Sequence, residues 1–394
     1  MNVFERMEAE NSLESIKNFR ENMQQPYEVK VCHAAERVND FLRHTENAHV
    51  SVGGLDSITL YMFINYSEHW EMKMFREQHA DRFPIHGISC SFLEDPSIIR
   101  VHKALGIESL KPAVDQDGKP YNKARVIDEF GFPVLSKEIA AKIETLQNPT
   151  EKNKTVRHAI ITGETGAYGG FQKHSRMKLA QKWLELFGGY ENETEGVSYG
   201  KPDFKVSAKC CYYLKEKPCD DWAKANDSVP FLGLMASEGG RRAKALMIHG
   251  CNYYGKTTVR SCPLAIFNRQ DLLRLAAEMD DLYKRKLREQ LFERGVASGR
   301  LKRTFKMPES IIPTIYGEIE SNLIGELRTT KAQRTGCSMC GFGIHLEKRP
   351  HRFDRLRETH PIEWEHLMYD LCTDEHGERF GWARVLDYIG VEYL

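Results

Sequence analysis

The segment Gly53-Gly54-Leu55-Asp56-Ser57 follows the short β-forming run 49–52 and precedes 57–64, where Ile58, Leu60, Tyr61, Phe63 and Ile64 suit a buried helix. Strand, glycine turn and helix in that order form the unit from which parallel α/β sheets are built, which constrains the fold strongly. Glycines at such a turn let backbone amides approach a phosphate closely, and the positive end of the helix favours the anion. Ser51, Gly53, Gly54, Asp56 and Ser57 are therefore candidate phosphate-binding residues. Asp56 has two compatible roles, capping the helix and positioning a phosphate-bound ion such as Mg.

The alternation continues along the chain. A second strand is expected within 83–89, and helices are expected over 98–105, 134–146 and 270–287. Recurring apolar positions at Val31, Ala34, Val38, Phe41 and Leu42 mark 28–43 as the second of two leading helices, the first lying near 8–22. The pattern predicts an α/β fold with a doubly wound, mostly parallel sheet. Three consecutive parts are expected: a helical lead-in at 1–44, a nucleotide-binding domain at 45–270, and a smaller, mostly helical, cysteine-containing domain at 271–394. Residues 164–205, rich in Gly, Lys, Asn and Glu, read as an insertion or mobile loop. Just before them, Thr162-Gly163-Glu164 follows the apolar run Ala159-Ile160-Ile161, which makes Gly163 a candidate third strand end at the nucleotide site.

Lysine and arginine number 56, matched by 56 aspartates and glutamates, so no global charge draws the chain to nucleic acid or membrane. A charged partner has to meet a local patch. One stretch, from Lys284 to Lys306, carries Lys284, Arg285, Lys286, Arg288, Arg294, Arg300, Lys302, Arg303 and Lys306 against Glu289 and Glu293. A second, from His345 to Arg357, carries His345, Lys348, Arg349, His351, Arg352, Arg355 and Arg357. Each is either a solvated face or a grip on the phosphates of DNA or RNA. No apolar run reaches the roughly 20 residues of a membrane span. The opening Met1-Asn2-Val3-Phe4-Glu5-Arg6 lacks a signal-peptide layout, so a cytoplasmic protein is expected.

Ten cysteines in a reducing compartment point to metal ligation, nucleophilic chemistry or burial rather than to disulfides. Cys337 and Cys340 form a Cys-x-x-Cys knuckle flanked by Gly336 and Gly341, a spacing that lets two thiolates reach one metal or cluster. Cys251, in His249-Gly250-Cys251-Asn252, is a fourth ligand, a sulfur-carrying nucleophile or a structural thiol. Cys32, Cys90, Cys219 and Cys372 lack paired spacing, and Cys262 stands beside Pro263 as a weaker ligand candidate.

The run His49-Val50-Ser51-Val52-Gly53-Gly54-Leu55-Asp56-Ser57 resembles the Ser-Gly-Gly-x-Asp-Ser loop of the PP-loop ATP pyrophosphatase superfamily. Further segments resemble its phosphoadenosine phosphosulfate reductase family, in that family's order. They are Lys209-Cys210-Cys211-Tyr212-Tyr213-Leu214-Lys215-Glu216-Lys217-Pro218, then Gly233-Leu234-Met235-Ala236-Ser237-Glu238-Gly239-Gly240-Arg241-Arg242, then Cys262-Pro263-Leu264-Ala265-Ile266-Phe267-Asn268. The last, Arg334-Thr335-Gly336-Cys337-Ser338-Met339-Cys340-Gly341, is similar to a bacterial and phage branch of that family.

The resemblance covers about 45–394 and implies an ATP or adenylyl-sulfate site, with Arg241 and Arg242 facing pyrophosphate or acceptor. It also implies a [4Fe-4S] cluster on Cys210, Cys211, Cys337 and Cys340, zinc being the alternative on the same thiolates. Three positions depart from the family's pattern: Val52 stands in place of its serine, and Met235 and Gly239 in place of its arginine and serine.

The family's reductases resolve their intermediate with a cysteine near the C-terminus, whereas this chain ends Asp387-Tyr388-Ile389-Gly390-Val391-Glu392-Tyr393-Leu394. The expectation is accordingly an ATP-dependent sulfurtransferase acting on a nucleic acid, Asp56 and Cys251 serving catalysis and a donor protein supplying sulfur. The alternatives are a sulfonucleotide reductase that uses Cys251, and a non-catalytic nucleotide-binding subunit of a nucleoprotein system.

Overall fold

A computed structural model of the chain describes residues 3–90, 96–164, 177–190, 199–297, 310–333, 335–337 and 340–394, with the backbone alone at 3–12, 241, 291 and 294–297. Contacts divide it into two units, each assembled from separate stretches of sequence. The first comprises Met1–Lys111 and Cys219–Gly336, the second Pro112–Pro218 and Cys337–Leu394.

In the first unit, six strands make one sheet: β1 (Ala48–Ser51), β2 (His86–Ser89), β3 (Glu108–Ser109), β4 (Val229–Phe231), β5 (Asn252–Tyr254) and β6 (Val259–Ser261). Their spatial order is β3-β2-β1-β4-β6-β5. All neighbours are parallel except the β5–β6 hairpin at one edge. From β1 the chain winds outward through β2 and β3 on one side, then returns to build β4 and β6 on the other. The order therefore reverses between β1 and β4, the place where open α/β sheets leave a crevice beyond the carboxyl ends of their strands.

The helix Leu55–Tyr66 buries Leu55 and every residue from Ser57 to Asn65, so it has no polar face. Such a helix needs cover all round, and one covering element is the long helix Arg269–Ala297.

The expected lead-in proves integral to this unit. The helices Val3–Met23 and Tyr27–His44 form as the periodicity predicts, and Ala34, Ala35, Val38, Phe41 and Leu42 are wholly buried in the main core. Lys30 Nζ lies 2.8 Å from Asp271 Oδ2, both side chains largely shielded from water. A boundary at 44/45 would cut this core and one at 270/271 would cut a helix, because apolar stripes close in space are far apart in sequence. The observed division thus differs from the three consecutive segments expected.

The second unit is largely helical around a core that includes Phe132, Phe187, Phe353 and Trp382. Two sequence expectations change here. Ala159, Ile160 and Ile161 belong to the helix Lys154–Thr162, not to a strand, and with Arg157 one turn earlier they form its buried side. Within 164–205 the helix Gln181–Phe187 buries Trp183, Leu184 and Phe187, so that part is core rather than loop. The remainder at 165–176 and 191–198 lies outside the described residues.

Candidate functional site

The glycine loop lies at the carboxyl end of β1. Val52 N donates to Ile88 O at 2.8 Å, prolonging the β1–β2 pairing, and the Val52 side chain is buried in the core. The position where the family has serine is thus a packing position here. Gly54 caps the helix Leu55–Tyr66, whose first turn closes with Ile58 N donating to Gly54 O at 2.9 Å. Ser57 Oγ accepts from Gly53 N at 2.8 Å and donates to Gly54 O at 3.1 Å, folding the loop on itself. Gly53 is exposed, and Ser51 at the end of β1 is half-buried.

Close packing explains Gly54 and Gly233, whereas at Gly53 a Cβ would meet only Ser57 Oγ at 3.9 Å. A Cβ on Gly54 would stand 3.2 Å from Thr335 Oγ1 and 3.4 Å from the Tyr316 hydroxyl, groups that themselves lie 3.1 Å apart. Gly233, just past β4, is tighter: a Cβ there would fall 2.7 Å from Ser57 N and 2.8 Å from Asp56 C. The strand beyond the reversal in order is thereby pressed against the loop.

Asp56 Oδ1 accepts from Ser57 N at 2.9 Å. Burial holds its carboxyl above the ordinary range; the Ser57 bond opposes this, Glu238 adds to it and Arg269 counters it. Tyr316, Thr335 and Arg269 were not marked in the sequence, since nothing in their spacing relates them to residue 54 or 56. Arg242, in the helix Gly240–His249, is exposed. The Arg241 side chain lies outside the described residues.

Cys251 is buried and packed in the first unit's core, and its carbonyl accepts from Cys262 N at 2.8 Å. Burial pushes its thiol up to about 12, with Cys262 adding and Arg37 opposing. A thiol so protonated at neutral pH is a poor nucleophile, and the environment is that of a structural cysteine.

The other four candidates belong to the second unit. Cys210 and Cys211 end the short helix Lys209–Cys211, which runs into a π-turn at Tyr212–Glu216, a local irregularity that re-aims side chains. Ser207 Oγ fixes the entry, accepting from Lys209 N and donating to Glu144 Oε2 at 2.9 Å. Phe130 stacks on Tyr213 with centroids 4.8 Å apart.

The knuckle is held from its far end. Gly341 packs so closely that a Cβ would lie 2.3 Å from the Trp382 ring, and Arg352 Nη1 donates to Cys340 O at 2.9 Å. Phe342 bridges to Leu135, and Gly343 N donates to Leu135 O at 2.7 Å. Leu135 is wholly buried at φ 62°, a conformation costly for a residue with a branched side chain, so packing imposes it.

Electrostatics tie the four sulfurs together. Burial pushes the Cys210 thiol up to about 12, with Cys211, Cys337 and Cys340 adding to the shift and Lys123 opposing it. Cys211 is raised for the same chief reason, and Cys340 and Cys337 also act on it. Lys123, which the sequence did not single out, is lowered by burial against the charges of Cys337, Cys210, Cys340 and Glu363. Among the described residues, no group of three or more His, Cys, Asp or Glu is arranged to hold one metal ion.

The remaining candidates fall elsewhere. Gly163 is the left-handed cap, φ 84°, that ends the helix Lys154–Thr162, and it belongs to the second unit, whereas the loop belongs to the first. In the first basic stretch Lys284 pairs with Asp280 and Lys286 with Glu68, leaving Arg285 and Arg288 exposed. Arg300, Lys302, Arg303 and Lys306 lie outside the described residues, as does the Arg294 side chain.

The second stretch is largely structural. Arg349 pairs with Asp354 and Arg352 with Glu347, while His351 is buried as a helix cap. His345 is held toward neutrality by burial and by Lys182. Arg357 lies over the Trp364 ring, and Lys348 and Arg355 are exposed.

Among the described residues no helix is long and apolar enough to cross a membrane. In comparisons with protein-family models, with curated proteins and with solved structures, the chain matches none.

Proposed function

We propose that this chain is an adenine-nucleotide enzyme of the PP-loop, Rossmann-like type that carries a [4Fe-4S] cluster and transfers sulfur to a nucleic acid at the expense of ATP. The carrying observation is the glycine loop at the carboxyl end of β1, where strand order reverses and Gly233 of the neighbouring strand packs on the loop backbone. Gly53, exposed and open at its Cβ position, leaves room for phosphate oxygens near the helix start. Ser57 Oγ, now spent on closing the loop, would turn to a phosphate. Asp56, destabilised by burial beside Glu238, gains from a divalent cation such as Mg bound with the nucleotide.

Cys210, Cys211, Cys337 and Cys340 would hold the cluster. The donor set fits one, being four thiols that act on one another beside a buried amine. Zinc would need all four sulfurs around one ion, whereas in a cubane each thiolate binds its own iron; zinc on the same thiolates stays the alternative, and metal analysis separates the two. When bound, such a cluster supplies an iron that can take up sulfur or an electron. Cys251 is left out of the chemistry by its burial, which also disfavours a sulfonucleotide reductase built on it. The nucleic-acid acceptor rests on the family resemblance, with Arg285, Arg288, Lys348 and Arg355 available for phosphates.

The test is anaerobic purification with iron and sulfide analysis, followed by a pyrophosphate-release assay with ATP and nucleic acid and detection of thiolated nucleosides. Pyrophosphate with thiolation supports the reading. Sulfite release from adenylyl sulfate would replace it with the reductase, and nucleotide binding without turnover would reduce the chain to an accessory subunit.

A further inference from the structure

In the second unit Cys210, Cys337 and Cys340, from two separate segments, act on one amine, that of Lys123. Lys123 opens the helix Lys123–Phe130 directly after the Asn122 cap, and that helix packs against the one carrying Cys210 and Cys211. Its Nζ is shut off from solvent and has no hydrogen-bond partner among the described residues. The charges acting most on it are those of Cys337, Cys210 and Cys340. Two nearby lysines differ in this respect: Lys137 is paired with Glu216 at 2.9 Å, and Lys209 with Glu144 at 3.1 Å. A buried ammonium without an acceptor is costly, so such an amine either gives up its proton or faces an anion.

We infer that Lys123 is the charged hydrogen-bond donor to the anionic group held by Cys210, Cys211, Cys337 and Cys340, and that it raises that group's reduction potential. The inference rests on the cluster reading above. Four thiolates around an iron–sulfur cubane give a net negative charge, and the sulfurs accept hydrogen bonds, so one group meets both needs of Nζ. Lys123 is a positioning residue, since an ammonium offers three donors and no lone pair for iron. Its charge favours the reduced, more negative form, and its removal makes reduction harder.

The test uses the full chain, reconstituted anaerobically with iron and sulfide and titrated with dithionite in the presence of mediators, dithionite supplying the electron. Iron content, visible absorption and midpoint potential are read together, and circular dichroism reports folding. In Lys123→Met the equilibrium constant for reduction is expected to fall on the order of tenfold, a shift of about 59 mV to more negative potential for one electron. Lys123→Arg, which keeps the charge, is expected to stay close to wild type. A folded Met variant that loses its cluster while the Arg variant keeps it also supports the inference. If Lys123→Met does not fold, Lys123→Gln is read in the same way. Unchanged iron and potential in the neutral variant overturn the role of Lys123 alone, whereas a wild-type chain that takes up no iron overturns the cluster reading itself.

Discussion

The glycine loop of the first unit and the proposed cysteine centre of the second are assembled in opposite ways. Hydrogen bonds within the loop run between residues of one short stretch, Gly53 N to Ser57 Oγ, Ser57 Oγ to Gly54 O and Ile58 N to Gly54 O. The cysteine centre draws on Lys123, on Cys210 and Cys211, and on Cys337 and Cys340, with Leu135, Arg352 and Trp382 holding the last pair. A local device depends mainly on the strand and helix it joins. A centre gathered from distant segments depends on the whole core around it, so changes far away in sequence should reach it.

The largest effect is expected at the cysteines. Replacing Cys337 and Cys340 together by alanine should abolish iron binding while nucleotide binding survives; iron retained by that variant would remove the knuckle from the centre. Next comes Gly233→Val. Its side chain would enter the backbone at Asp56 and Ser57, and an overpacking cost of about 3 kcal/mol corresponds to ~100-fold weaker ATP binding if it falls on the loop. Calorimetry reads this directly, and unchanged affinity would show that the contact with β4 does not shape the loop.

A comparable effect on stability lies behind the loop, in β1. His49 is buried, its Nδ1 is 2.8 Å from Ser228 Oγ, and burial together with His86 holds its pKa near 4. Its folded pKa lies below the unfolded value of about 6.5, so the unfolded chain binds the extra proton as pH falls. The cost of acidification, on the order of 3 kcal/mol, accrues between about pH 6.5 and 4. Chemical denaturation of His49→Gln should lack that component, and an unchanged pH profile would assign it elsewhere.

The smallest effect expected is at Asp56. Its raised pKa means that ionisation at neutral pH works against folding, a penalty absent at low pH that grows as pH rises through the folded pKa. Asp56→Asn should therefore raise Tm at neutral pH by about 2–4 °C and weaken binding of the Mg–ATP complex. A fall in Tm would instead show that the bond Asp56 accepts from Ser57 N and its charge in the first helical turn outweigh its burial.

Much of the loop was legible because its signals are local. Apolar strand, two glycines, Asp56, Ser57 and an apolar helix lie in order, and a short stretch of chain carries the whole pattern. The paired cysteines were legible by spacing. The error at Gly163 came from an apolar triplet, Ala159 to Ile161, that strand and helix can both bury. The basic stretches could be read only in part: charge can be counted along a chain, but the partners of Lys284, Lys286, Arg349 and Arg352 come from folding.

By itself the sequence determined the strand, glycine turn and helix around 49–64, the two leading helices and which thiols come in pairs, since each depends on residues a few positions apart. Only the tertiary structure decided that 1–111 and 219–336 share one core, that Cys251 is sealed in it, and that Lys123 is buried in the second unit where Cys210, Cys337 and Cys340 act on it. Burial and the pairing of charges are set by neighbours brought in from elsewhere in the chain, and no local spacing encodes them.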